Sequence, residues 1–245
     1  MHVARQLVEC PDDALVPQLL QALNQESVPA SAAAFVLAEW ASQGVLSEDA
    51  VPRAVQGLTH DSAEVRQWCA AILRGIGPDA RGATPPLLAA LKDPDPGVRQ
   101  SAVDALGKVA GNDEAALLHC LELLGDEEPV RNALVRLLGA LTEVPAPVYS
   151  ELKKQLRASS SQARAGAAAA ASVLLHGRPT LIPLLVHCLG DSQPDVRTEA
   201  ARALAELSAP ERSVVLSLGK ALRDPVASVR QEAARALDIF GEAAA

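Results

Sequence analysis

The sequence predicts an all-α protein, a right-handed α-solenoid of about seven helix–turn–helix repeats. Three observations lead there. Aromatic residues make up 2% of the 245 residues while apolar residues reach 49%, and a core built from Ala and Leu suits helices rather than a β-sandwich. Charged residues at 21% leave enough apolar content to exclude a disordered chain. Most tellingly, a Val-Arg dipeptide or close variant recurs at Val65-Arg66, Val98-Arg99, Val130-Arg131, Ala163-Arg164, Val196-Arg197 and Val229-Arg230, so that successive Arg residues lie 33, 32, 33, 33 and 33 positions apart. A fixed period of this length marks a stacked-repeat architecture.

Each element follows in order. The first repeat, roughly 1–43, pairs a helix running from Pro17 to Leu23 with a second that carries Phe35, Val36, Leu37 and Trp40; Ala30 stands where later repeats have Arg. The second, 44–77, starts its first helix at Pro52, turns at Asp61 and ends near Gly75 and Gly77, which terminate the helix. The third, 78–111, runs from Pro85 to Leu91, turns at Asp93-Pro94-Asp95-Pro96 and continues with the apolar stripe Ala102, Ala105, Leu106, Val109. That spacing is one face of an amphipathic helix. The fourth, 112–143, has a Leu-rich first helix around 113–124 and Asp126 before Arg131. The fifth, 144–177, departs from the pattern with Ser159 in place of the turn Asp and a second helix reading Ala165-Gly166-Ala167-Ala168-Ala169. The sixth, 178–209, begins at Pro183, turns at Asp191 and carries Ala200, Ala203 and Leu204. The seventh, 210–245, turns at Asp224 and carries Ala233, Ala236, Leu237 and Phe240. Pro early in a helix occupies a position whose N–H has no intrahelical partner anyway, and Asp and Ser are favoured as caps and turn residues. No composition break divides the chain, so a single solenoid domain is expected.

Residues 93–107, Asp-Pro-Asp-Pro-Gly-Val-Arg-Gln-Ser-Ala-Val-Asp-Ala-Leu-Gly, closely resemble the HEAT repeat, in particular the short bacterial variety also found in phycobilisome bilin-lyase subunits. The resemblance covers nearly the whole chain. It implies that the second helices line a concave face. It also implies a ladder in which turn Asp residues and helix Arg residues link adjacent repeats; the matching positions are Asp61, Asp93, Asp126, Asp191 and Asp224 with Arg66, Arg99, Arg131, Arg164, Arg197 and Arg230. Ser159 weakens the ladder at repeat five. The His-Glu pairs used by di-iron hydroxylases of this fold are absent.

The remaining residues narrow the function. A net charge of −8 and a pI near 5.2 disfavour nucleic acid and anionic membranes as partners, both of which need a positive field. No apolar run is long enough to span a bilayer. Cys10, Cys69, Cys120 and Cys188 are widely spaced and read as reduced thiols of a cytoplasmic protein. His119-Cys120 and His187-Cys188 point apart on a helix and read as packing residues rather than metal ligands. No nucleophile–base set or phosphate loop emerges, so no catalytic residue, metal or cofactor is assigned. Counting from each Arg, positions +1, +4, +5 and +8 are expected to face a shallow groove. Its central part would comprise Val135, Ala168, Ala169 and Ala201, with Arg136, Arg202 and Arg235 to grip carboxylates. Repeat five, with Gly166, would be the widest and least rigid part. The expectation is a non-enzymatic scaffold that binds a protein or peptide with an acidic and apolar segment, with self-association through the solenoid ends as a further expectation. The alternative is a bilin-lyase-like or other enzyme-associated subunit acting as a substrate chaperone.

Overall fold

The short helices begin where proline permits. In the computed structural model, which describes residues 7–9, 11–23, 28–175, 179–207 and 211–243, Pro17, Pro52, Pro85 and Pro183 all lie in the first turn of their helices. Among the described residues there are fourteen α-helices, each short first helix followed by a longer second one. They fall into two compact units, Met1–Cys120 and Leu121–Ala245.

The N-terminal unit holds α1 (Val16–Ala22), α2 (Val28–Ser42), α3 (Val51–Gly57), α4 (Ala63–Ile76), α5 (Thr84–Ala90), α6 (Pro96–Val109) and most of α7 (Glu114–Leu121). The second helices α2, α4 and α6 pack in sequence, and α1, α3 and α5 each pack on the second helix of their own repeat. The core is aliphatic: Leu37, Ile72, Leu73, Leu87 and Leu106 are buried, with Trp40 as its one large aromatic. Trp40 Nε1 donates to the Leu7 carbonyl at 3.1 Å, which meets the hydrogen-bonding demand of a buried indole. Phe35 and Trp68 meet edge-to-face at 5.1 Å. Gly75 lies so close to the Ala41 backbone that a Cβ there would come within 2.6 Å of it. Gly77, at φ 72°, ends α4 in a conformation that only glycine adopts easily.

The C-terminal unit contains a 3₁₀ turn (Glu122–Gly125), α8 (Glu128–Gly139), α9 (Ala146–Gln155), α10 (Ser161–Leu174), α11 (Ile182–Cys188), α12 (Pro194–Leu204), α13 (Arg212–Ala221) and α14 (Ala227–Ala243). Helices α8, α10, α12 and α14 pack in succession, and α9, α11 and α13 back onto α10, α12 and α14. Ser160 caps α10 by accepting the Ala163 N–H. Cys69, Cys120 and Cys188 are buried, and burial pushes their thiols up to about 12, 12 and 11. Cys10, His2 and His176 lie outside the described residues. No described helix is long and apolar enough to cross a membrane.

Candidate functional site

The joints between repeats are held by arginine forks. Arg66 donates Nε and Nη2 to the two oxygens of Asp93, both at 2.7 Å. Arg164 grips Asp191 in the same way at 2.7 and 2.9 Å, and Arg197 grips Asp224 at 2.7 and 2.9 Å. In each case the carboxylate lies 27 residues downstream and belongs to the next turn. The remaining nitrogen, Nη1, hooks two carbonyls of the arginine's own turn: His60 and Asp61, Ala158 and Ser159, or Asp191 and Ser192. Oδ1 of each Asp also accepts an N–H two residues on, from Asp95, Gln193 or Val226. Bidentate pairing with an arginine is strong and directional. For Asp191 and Asp224 the arginine bond is the main cause of a carboxyl held below its usual range. For Asp93 burial pushes upward, and the Arg66 and Asp95 bonds together with the arginine charge outweigh it.

Two arginines differ. Arg230 hooks the Asp224 and Pro225 carbonyls, and the described residues offer it no carboxylate. Arg131 makes one bond, from Nη1 to the Asp126 carbonyl at 3.3 Å. Twenty-seven residues downstream of it stands Ala158, which has no carboxylate to offer.

Arg131 turns toward a depression on the second-helix face of the C-terminal unit. A volume of about 190 Å³ is lined by α8, α10 and α12, with Asn132, Val135, Ala169, Ser172 and Glu199 around Arg131. A neighbouring volume of about 450 Å³ extends it past Gln162, Ala165 and Thr198 to Ser228 of α14. The floor is small and the rim is polar: Thr198 and Ser228 share a hydrogen bond of 3.2 Å. Glu199 bonds Arg202 at 3.0 and 3.2 Å. Arg202 also reaches Glu232 at 3.5 Å, and Glu232 holds Arg235 at 2.9 Å. Burial pushes the Glu199 carboxyl above its usual range, against the pull of Arg202 and Arg131.

Stacked helix pairs joined by these forks correspond to a known family. A family model for HEAT repeats matches residues 51–139 and 149–238. The chain belongs to the HEAT-repeat family. Its fold is shared with far larger HEAT solenoids. A crystal structure of importin beta matches with a TM-score of 0.73 at 15% identity, over 98% of this chain and 36% of that one. Kap95p, in a structure whose subject is its binding to RanGDP, matches at 0.72 and 13% identity, over 93% and 35%. The Kap95:Nup1 complex matches at 0.70 and 13%, over 95% and 36%. The chain thus spans about a third of these proteins, and at such identity the likeness is one of fold. No curated protein matches the chain.

Within this HEAT framework several expected site residues move. Ala168 and Ala201 are fully buried and do not line the groove. Ala234, at the same position in the last helix, is exposed, so what buries this row is the following second helix. Val135 and Ala169 do line the groove. Arg202 lines it too but is already paired with glutamates, and Arg235 lies beyond the lining with a glutamate of its own. Arg136 is exposed on α8, outside both lining sets. Asp61 contributes a carbonyl to Arg66 rather than its carboxylate. Ser159 likewise gives its carbonyl to Arg164, and the position opposite Arg131 in the ladder is Ala158. Nor is Gly166 a loose point: a Cβ there would collide with the Leu124 carbonyl, so glycine lets α10 seat against the Glu122–Gly125 turn. Among the lining residues that sequence reasoning left out are Glu128, Glu199 and, as a groove residue, Arg131. The signal for Arg131 was the 27-residue count, which ends on alanine.

Proposed function

We propose that this HEAT-repeat chain is a non-catalytic scaffold that holds a segment of another protein against the second-helix face of its C-terminal unit. The observation that carries this reading is the depression of about 450 Å³ spanning α8, α10, α12 and α14. Its small floor admits a chain, and its rim of hydroxyl, amide and charged groups supplies hydrogen bonds that fix register. The family match is to a repeat and not to an enzyme, and solved structures of the same fold include complexes with RanGDP and Nup1. The segment carries apolar side chains for Val135, Ala165 and Ala169 and carboxylates for the arginines. At Arg202 and Arg235 a carboxylate must displace Glu199 or Glu232, and both arginines are about half exposed at 48% and 45%. The bilin-lyase-like alternative gains no support from the relatives found. Replacing Gln162→Glu together with Arg202→Glu, both on the lining of that depression, is expected to abolish partner capture with little change in the circular dichroism melt. Undiminished capture would move the binding face elsewhere.

A further inference from the structure

The rungs at Arg66, Arg164 and Arg197 have the same chemistry: an arginine fork closed by an Asp at 2.7–2.9 Å. Arg131 has the fork without the Asp. Its stem meets α10 where Gly166 leaves room, since a Cβ there would approach Arg131 Cδ to 2.9 Å, and Arg131 is part of the lining of both depressions. The charged groups sharing those depressions are Glu128 on its own helix and Asp195, Glu199 and Arg202 on α12. Glu199 is held by Arg202 and feels the Arg131 charge through space, while the one bond the Arg131 side chain makes to the described residues is to the Asp126 carbonyl. We propose that Arg131 is the docking point for a carboxylate of the bound segment, an Asp or Glu side chain that closes the fork as the internal Asp does at the other rungs. This deepens the groove reading and rests on it. A guanidinium presents planar paired donors that match one carboxylate, so a single acidic residue placed over α10 sets the register of the segment.

The test uses the full chain labelled with ¹⁵N-arginine, reading the Nε–Hε signals by NMR. The Arg131 signal is assigned by its loss in Arg131→Gln. The probe is N-acetyl-glutamate N-methylamide, with the glutamine analogue as neutral control and methyl phosphate as a second anion. A saturable shift of Arg131 with the glutamate probe is expected, with Arg66, Arg164 and Arg197 unmoved because their forks are full. Ala158→Asp supplies the missing carboxylate in cis, so Arg131 should shift in the free variant and its response to the probe should fall roughly tenfold or more. An unmoved Arg131 overturns the proposal, as does an equal response to the glutamine analogue or an unchanged response in Ala158→Asp. A response to methyl phosphate about tenfold tighter than to the carboxylate overturns the assigned ligand class. None of these results touches the groove reading, which fails separately if the Gln162→Glu, Arg202→Glu variant still captures partner.

Discussion

Arg197 and Arg202 sit five residues apart on α12 and do different work. Arg197 is 11% exposed and closes a bidentate rung on Asp224, while Arg202 stands in solvent beside two glutamates. Arg197→Ala is expected to cost about 1.5–3 kcal/mol, the range for hydrogen bonds to charged groups, and Arg202→Ala about 0–1 kcal/mol; thermal melts of the two variants check the order. The rungs also set an acid limit. Asp93, Asp191 and Asp224 are held below the usual carboxylate range in the folded chain, so the unfolded chain takes up protons first. Their contribution is therefore complete above the unfolded value of about 3.9 and fades as pH falls through the lower folded values. Urea midpoints measured from pH 6 downward should drop most steeply there, and Asp224→Asn should flatten that drop. The Val-Arg motif exposed these arginines in the sequence, but it reads nearly alike in repeats two to seven. Only the 27-residue step to Ala158 separates Arg131 from the others.

The helix pairs were legible as elements because a 33-residue period and first-turn prolines are strong local signals. The rotation of each second helix was not. Alanine suits both an open groove and a tight helix joint, so the row containing Ala168 and Ala201 could not be assigned from residue type; packing by the next helix decides it. Ala201→Leu should therefore destabilise as Ala200→Leu does, by about 1–3 kcal/mol, since both positions are fully buried. Glycine offers a sharper contrast. Gly219 in α13 has open space where a Cβ would stand, whereas Gly166 faces the Leu124 carbonyl. Gly219→Ala should raise the melting temperature, by up to about 1 kcal/mol of helix propensity. Gly166→Ala should lower it despite the same propensity gain, because backbone must move. A Gly166→Ala variant more stable than the parent would mean that α10 does not seat closely on the Glu122–Gly125 turn.

At the scale of the whole molecule, the acidic balance of −8 leaves arginine as the cation of both the ladder and the groove. One surface outside the groove bears on the expected self-association. Leu222 is 41% exposed, whereas Leu58, Leu91 and Leu156, at the same place in earlier repeats, are 6%, 4% and 2% exposed; Leu216, six residues earlier, reaches 57%. Exposed apolar side chains of this size mark association surfaces, so sedimentation should show concentration-dependent association that Leu216→Glu with Leu222→Glu removes. The central claim, that a partner lies against the second helices of the C-terminal unit, is tested most directly by photo-crosslinking. With a benzoylphenylalanine placed singly at Gln162 or Ser228 in the groove, or at Lys154 or Lys220 on the first helices, the account predicts crosslinked partner from the first two positions and none from the last two. Crosslinks confined to Lys154 and Lys220 would contradict it.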